Sequence, residues 1–197
     1  MKLAIADPPY LGRAVLFYGE HDRNMGSGSI NPISRADTHP DAAVWDDPFA
    51  HKQMVSELMR DYDGWAIAMV PDSLRHYLQW VPERTRVAVW HDPQVMPSGQ
   101  HPRRRWEPVL VCVPEGRRRI IDVKGPHVGD VLTAPHGSSG FAGAKPEAWT
   151  RWVLDMLGYD DEQDTVTDLF AGSGAVQRVI DTPTLTMEWN AQESVIF

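Results

Sequence analysis

Two short segments near opposite ends of the chain hold residue types whose spacing suits ligand chemistry. One is Asp168-Leu169-Phe170-Ala171-Gly172-Ser173-Gly174. An apolar strand entering a Gly-x-Gly turn lets a ligand approach the backbone, because a side chain at either glycine would obstruct it. A phosphate-cradling P-loop would need Gly-Lys-Ser/Thr, but Ala175-Val176 follows Gly174; a dinucleotide fingerprint would need a third glycine where Gln177 stands. Phosphate binding is disfavoured, and a cofactor with an adenosine but no phosphate fits better. Glu188, twenty residues after Asp168, is spaced to accept hydrogen bonds from two ribose hydroxyls. The alternative is a glycine turn that only joins strand to helix.

The other segment is Asp7-Pro8-Pro9-Tyr10. A carboxylate and a proline carbonyl on a rigid turn present two acceptors beside an aromatic face, and neither proline adds a backbone donor. Such a site suits an exocyclic amine on a flat ring: the acceptors take its two N–H groups while Tyr10 stacks on the ring. Asp-Pro-Pro also serves as plain turn chemistry, and both readings stay open on this segment alone.

These segments need elements to hold them. Leu3 to Ala6 is a short apolar run that the prolines terminate, which predicts a buried strand. Residues 11–50 lack sustained periodicity and predict a long loop that either closes over a bound base or stays structureless. Met54, Val55, Leu58, Met59 and Tyr62 recur at helical spacing, and Trp65 to Val70 predicts a strand covered on both faces. Asp72 or Ser73 is placed to cap a helix carrying Leu74, Tyr77, Leu78 and Val81. Strands follow at Arg86–Trp90 and Pro108–Val113, then a linker over 122–144. A helix spans Pro146–Leu157 with Gly158 after its end. Strand Thr165–Leu169, helix Ala175–Asp181 and strand Leu185–Trp189 complete the chain. The alternation predicts an α/β fold, a mostly parallel sheet with helices on both faces and ligand chemistry at the carboxyl ends of its strands.

Taken together, the motifs resemble those of the amino-group DNA methyltransferases. Asp7-Pro8-Pro9-Tyr10 looks like their catalytic motif and Asp168 to Gly174 like their S-adenosylmethionine-binding motif. Gly143-Ala144-Lys145-Pro146-Glu147-Ala148-Trp149 resembles the Lys-Pro segment that precedes the cofactor motif in the permuted, beta-type subclass. The order catalytic motif, Lys-Pro segment, cofactor motif is that of this subclass, and the resemblance spans nearly the whole chain. It implies a Rossmann-like methyltransferase fold with circularly permuted motif order. It implies that Asp7, Pro8, Pro9 and Tyr10 hold the target base. Asp168, Phe170, Ala171, Gly172, Ser173 and Gly174 would line S-adenosylmethionine, with Glu188 on its ribose and Lys145 near its methionine end. Trp189 either packs against the adenine or belongs to the core. The Asp at position 7 favours N6 of adenine; N4 of cytosine, an RNA substrate, or a binding relative without turnover are the alternatives. Residues 92–144 are short for a target-recognition region, so low specificity or a very short site is expected.

At 197 residues, 42% of them hydrophobic, the chain suits one catalytic domain. Mean hydropathy is -0.38, and neither a membrane-spanning run nor a signal-peptide core is present, which predicts a cytoplasmic protein. The single cysteine, Cys112, reads as a core thiol, and no pair among the eight histidines has the helical spacing of a zinc site. With 27 acidic against 19 basic residues and a net charge of -8, any contact with DNA must be local. Arg103-Arg104-Arg105 and Arg117-Arg118-Arg119 are the basic runs that would hold phosphates, unless they are solvated surface. A homodimer would let two copies share the grip on a duplex.

Overall fold

The computed structural model describes residues 1–19, 40–94, 104–117, 128–136 and 144–182. Six strands form one sheet: β1 (Lys2–Ala6), β2 (Gly64–Ala68), β3 (Arg86–His91), β4 (Trp106–Cys112), β5 (Val131–Thr133) and β6 (Thr165–Asp168), in the order β5-β3-β4-β2-β1-β6. The pairs β1–β2, β1–β6 and β3–β5 are parallel, while β4 is antiparallel to both β2 and β3. Five strands thus point one way and β4 runs against them. The chain is an α/β protein with a mixed, mostly parallel sheet.

The helices are α1 (Ala14–Tyr18), α2 (Pro48–Asp61), α3 (Leu74–Tyr77), α4 (Glu147–Leu157) and α5 (Ala175–Asp181). Because strand side chains alternate, β1 feeds two cores. Leu3 and Ile5 pack with Trp149, Val153 and Leu157 of α4 and with Val176 and Val179 of α5. Ala4 and Ala6 face the opposite side, with Met54, Val55 and Leu58 of α2. Asp47 starts α2 by accepting a hydrogen bond from the Phe49 amide at 2.9 Å, with Pro48 in the first turn. Gly158, at φ 68°, ends α4, and the Tyr159 amide closes back on the Leu154 carbonyl at 3.0 Å.

Several sequence expectations hold to within a few residues: β1 to β4, β6, α2, α4 and α5. Others are corrected. The segment 122–144 is not a plain linker, for β5 lies within it. Indole N–H groups fix it there: Trp90 donates to the Ala134 carbonyl at 2.9 Å and Trp152 to that of Gly129 at 2.8 Å. The helix expected to carry Leu74 through Val81 is only α3, entered through a 3-10 turn at Pro71–Ser73 with no side-chain cap. Leu78 is exposed, and so is Met59 of α2, at 43%. Residues 11–50 are not structureless where described, since they contain α1 and a 3-10 helix at Ala42–Asp46. The predicted strand Leu185–Trp189 lies outside the described residues. Among the described residues no helix is long and apolar enough to cross a membrane.

Candidate functional site

The parallel register brings the two motif segments together. Ile5 of β1 stands beside Asp168 of β6, and the Leu169 amide donates to the Ile5 carbonyl at 3.0 Å. Asp7 therefore leaves the carboxyl end of β1 next to the point where the glycine turn leaves β6. Within that turn the Phe170 amide donates to the Asp168 carboxylate at 3.1 Å, and Gly172 and Gly174 take φ of 44° and 72°, a region that side chains disfavour. A cavity of about 480 Å³ opens at these strand ends, lined by Asp7, Pro9 and residues 168–173 together with Ala144, Lys145, Trp149, Thr150, Tyr18 and Trp45.

Lys145 sits just before α4 with its side chain only 6% exposed, and it organises the Asp7 side of the cavity. Its ammonium lies 3.0 Å from the Asp7 carboxylate, 2.7 Å from the Tyr10 hydroxyl and 3.2 Å from the Glu107 carboxylate. The Tyr10 hydroxyl in turn donates to Glu107 at 2.7 Å. An ammonium has three protons, and here each has an acceptor. The lysine also stands 5.3 to 5.8 Å from the ring centres of Tyr10, Trp90 and Trp149. Burial alone would lower its pKa, but the Asp7 and Glu107 charges outweigh that and hold it above the ordinary lysine value. Burial, with the charges of Asp7 and Glu107, pushes the Tyr10 phenol well up, so it stays a donor. Burial also raises the Asp7 and Asp168 carboxyls above the usual carboxylate range; at Asp7 Lys145 opposes this and Glu107 adds to it.

Tyr18 and Trp45 bring the two described ends of segment 11–50 to the cavity wall. Asp46 accepts from the amides of Ala14 and Val15 at 2.8 and 3.1 Å, so a side chain of the 3-10 helix caps α1 from afar. Behind Trp45 lies His51, buried, whose Nε2 is 2.7 Å from the Trp45 carbonyl and whose Nδ1 is 2.6 Å from the Tyr77 hydroxyl. A carbonyl only accepts, so Nε2 carries the proton and Nδ1 accepts from Tyr77; burial lowers the pKa and favours this neutral form. Trp45 thereby stands edge-on to Phe170, with ring centres 4.9 Å apart.

Of the residues singled out from sequence, Asp7, Pro9, Lys145, Asp168, Phe170, Ala171, Gly172 and Ser173 share the cavity wall. Pro8 is buried, Tyr10 is half-buried beside the cavity, and Gly174 begins α5. Lys145 lines the cavity with its ammonium held by Asp7, Tyr10 and Glu107. Glu188, Trp189, Arg103, Arg118 and Arg119 lie outside the described residues. Arg104 pairs with Asp72, and Arg105 donates to the Pro93 carbonyl at 3.1 Å. Arg117 is held at 2.5 Å by Asp164, a fully buried side chain that also binds the Met1 amine. Since β4 runs between them, Arg104 and Arg105 stand at the carboxyl edge of the parallel strands and Arg117 at the amino edge, so the described arginines do not form one patch. Sequence reasoning missed Glu107, Tyr18 and Trp45.

The residues present fit a nucleoside cofactor. The cavity volume falls in the range of about 300–1,000 Å³ that small-molecule sites occupy, its wall mixes aromatic faces with carboxylates, and the turn at Gly172 keeps backbone rather than side chain against it. The Trp149 indole N–H and Thr150 hydroxyl, both on wall residues, leave two buried polar groups with no partner among the described residues. No family model matches the chain, and no curated protein matches it.

Proposed function

We propose that this chain is an S-adenosylmethionine-dependent methyltransferase acting on an exocyclic amine of DNA, the N6 of adenine. Its fold on this reading is a Rossmann-like methyltransferase fold in the permuted motif order of the beta-type class. The observation that carries the proposal is the shared cavity: Asp7, Pro9 and the Asp168–Ser173 turn line one space at the carboxyl ends of adjacent parallel strands.

When bound, S-adenosylmethionine supplies a methyl group already activated by its sulfonium. The protein then has to align the partners and complement their charge, with no covalent nucleophile of its own. Asp168, Phe170 and the backbone of the glycine turn hold the cofactor. Asp7 and the Pro8 carbonyl accept hydrogen bonds from the target amine, which draws its lone pair out of conjugation and stabilises positive charge growing on nitrogen. Tyr10 offers its ring for stacking, and its hydroxyl, tied to Glu107 and Lys145, fixes the ring's direction. A duplex base reaches the site by flipping out of the stack.

Mass spectrometry of nucleosides from DNA treated with the protein and methyl-labelled cofactor tests this. Labelled N6-methyladenine is expected. Asp7→Ala should cut the transfer rate by about 100-fold or more while cofactor binding stays measurable by calorimetry. Label on N4 of cytosine would change the base assigned, and bound cofactor with no labelled nucleoside would leave a binding protein without turnover.

A further inference from the structure

Trp45 belongs to neither motif, yet it lines the cavity and meets the glycine turn edge-on at Phe170. It is held from behind by a buried polar chain. His51 of α2 is 1% exposed; its Nε2 donates to the Trp45 carbonyl at 2.7 Å, and its Nδ1 accepts from the Tyr77 hydroxyl at 2.6 Å. The imidazole also stands edge-on to the indole, with ring centres 5.3 Å apart, and Tyr77 stands edge-on to the imidazole at 5.7 Å. Both nitrogens of a buried ring are thus engaged in placing one aromatic residue. For packing alone, an apolar side chain would serve without the cost of burying two polar atoms. Trp45 and Phe170 pack on the α2 side of the sheet, whereas Trp149, beside the Lys145 ammonium, packs on the α4 side. The cavity therefore has an aromatic corner as well as a charged network.

We propose that Trp45 and Phe170 form a corner that takes a flat heteroaromatic ring, and that His51 is a positioning residue that sets the indole for it through the Trp45 carbonyl. Two aromatic side chains at nearly a right angle offer such a ring one face to stack on and one edge to meet. The inference rests on the methyltransferase reading above, under which two such rings enter the cavity: the purine of S-adenosylmethionine and the extruded target base. No bond forms or breaks at Trp45, whose part is contact and orientation.

Calorimetry with S-adenosylmethionine in the absence of DNA compares the wild-type protein with four variants. Trp45→Leu keeps apolar bulk without a ring, and Trp45→Phe keeps a ring. His51→Asn keeps an acceptor for the Tyr77 hydroxyl but withdraws the donor from Trp45, while His51→Gln carries an amide N–H to about the place of Nε2. Trp45→Leu and His51→Asn are each expected to weaken binding about tenfold, and Trp45→Phe and His51→Gln about threefold or less. Where all four variants bind the cofactor as the wild type does, the same order in the KM for DNA during methyl transfer supports the corner and assigns its ring to the target base. Trp45→Leu without effect on either quantity overturns the proposal. So does His51→Asn behaving as wild type beside a weakened Trp45→Leu, and so do losses that follow the thermal midpoints of the variants instead of the retained ring and donor. Absence of cofactor binding by the wild-type protein overturns the cofactor reading itself, so the two failures are distinct.

Discussion

Asp7 is worked on by its neighbours in both directions. Burial raises its carboxyl pKa, Lys145 pulls it back, and Glu107 pushes it up again. On the proposed function Asp7 accepts the amine's hydrogen bond as a carboxylate, so activity is present above its pKa and lost as pH falls through it. The acid limb of kcat/KM should then lie above the ordinary aspartate value of about 3.9. Glu107→Gln keeps an acceptor for the Tyr10 hydroxyl but removes a charge that raises the Asp7 pKa. The limb should move to lower pH in that variant. A pH–rate profile with the limb unmoved, or moved upward, would show that Asp7 is not the titrating group or that Glu107 does not act on it. Glu107 itself sits on β4 with nothing around it in sequence to mark it, and its contacts with Tyr10 and Lys145 give it a role.

That bond exists because of how one element is laid down. β4 runs antiparallel, so its first residues, not its last, reach the edge where the parallel strands end. Had β4 been parallel, Glu107 would lie at the far edge, about 20 Å away at the usual rise per residue. Strand direction is set by pairing with β2 and β3, a long-range choice that apolar runs do not encode. The motif strands β1 and β6 were legible because prolines and glycines punctuate them, and α4 because Pro146 and Gly158 bracket its apolar face. The cavity wall from segment 11–50 was not legible: α1 has five residues, too short for periodicity to show, and its cap comes from Asp46. Asp46→Ala should cost about 0.5–2 kcal/mol in urea unfolding. It should also speed amide exchange at Ala14 and Val15 ahead of the β1 amides. Unchanged exchange there would mean that α1 does not depend on Asp46.

Across the whole molecule, the net charge of -8 sharpens where a nucleic acid can be held. The two arginine runs look equivalent in sequence, yet their described members differ in kind. Arg104 forms an exposed pair with Asp72, the sort of contact that contributes little and yields readily to a phosphate. Arg117 instead serves the fold, neutralising the fully buried Asp164 together with the Met1 amine at the amino edge, away from the cavity. On the proposed function, replacing Arg104 and Arg105 by glutamine should weaken DNA binding and lower the slope of log K against log salt by up to about 1.8, near 0.9 for each phosphate that is no longer neutralised. Arg117→Gln should lower the thermal midpoint and leave that slope alone, because the carboxylate it abandons is a buried side chain and Arg117 stands at the amino edge, away from the cavity. Measuring both quantities on both variants separates the roles. A slope that falls with Arg117→Gln, or stays fixed when Arg104 and Arg105 are neutralised, would move the DNA-binding face to the amino edge or away from both runs.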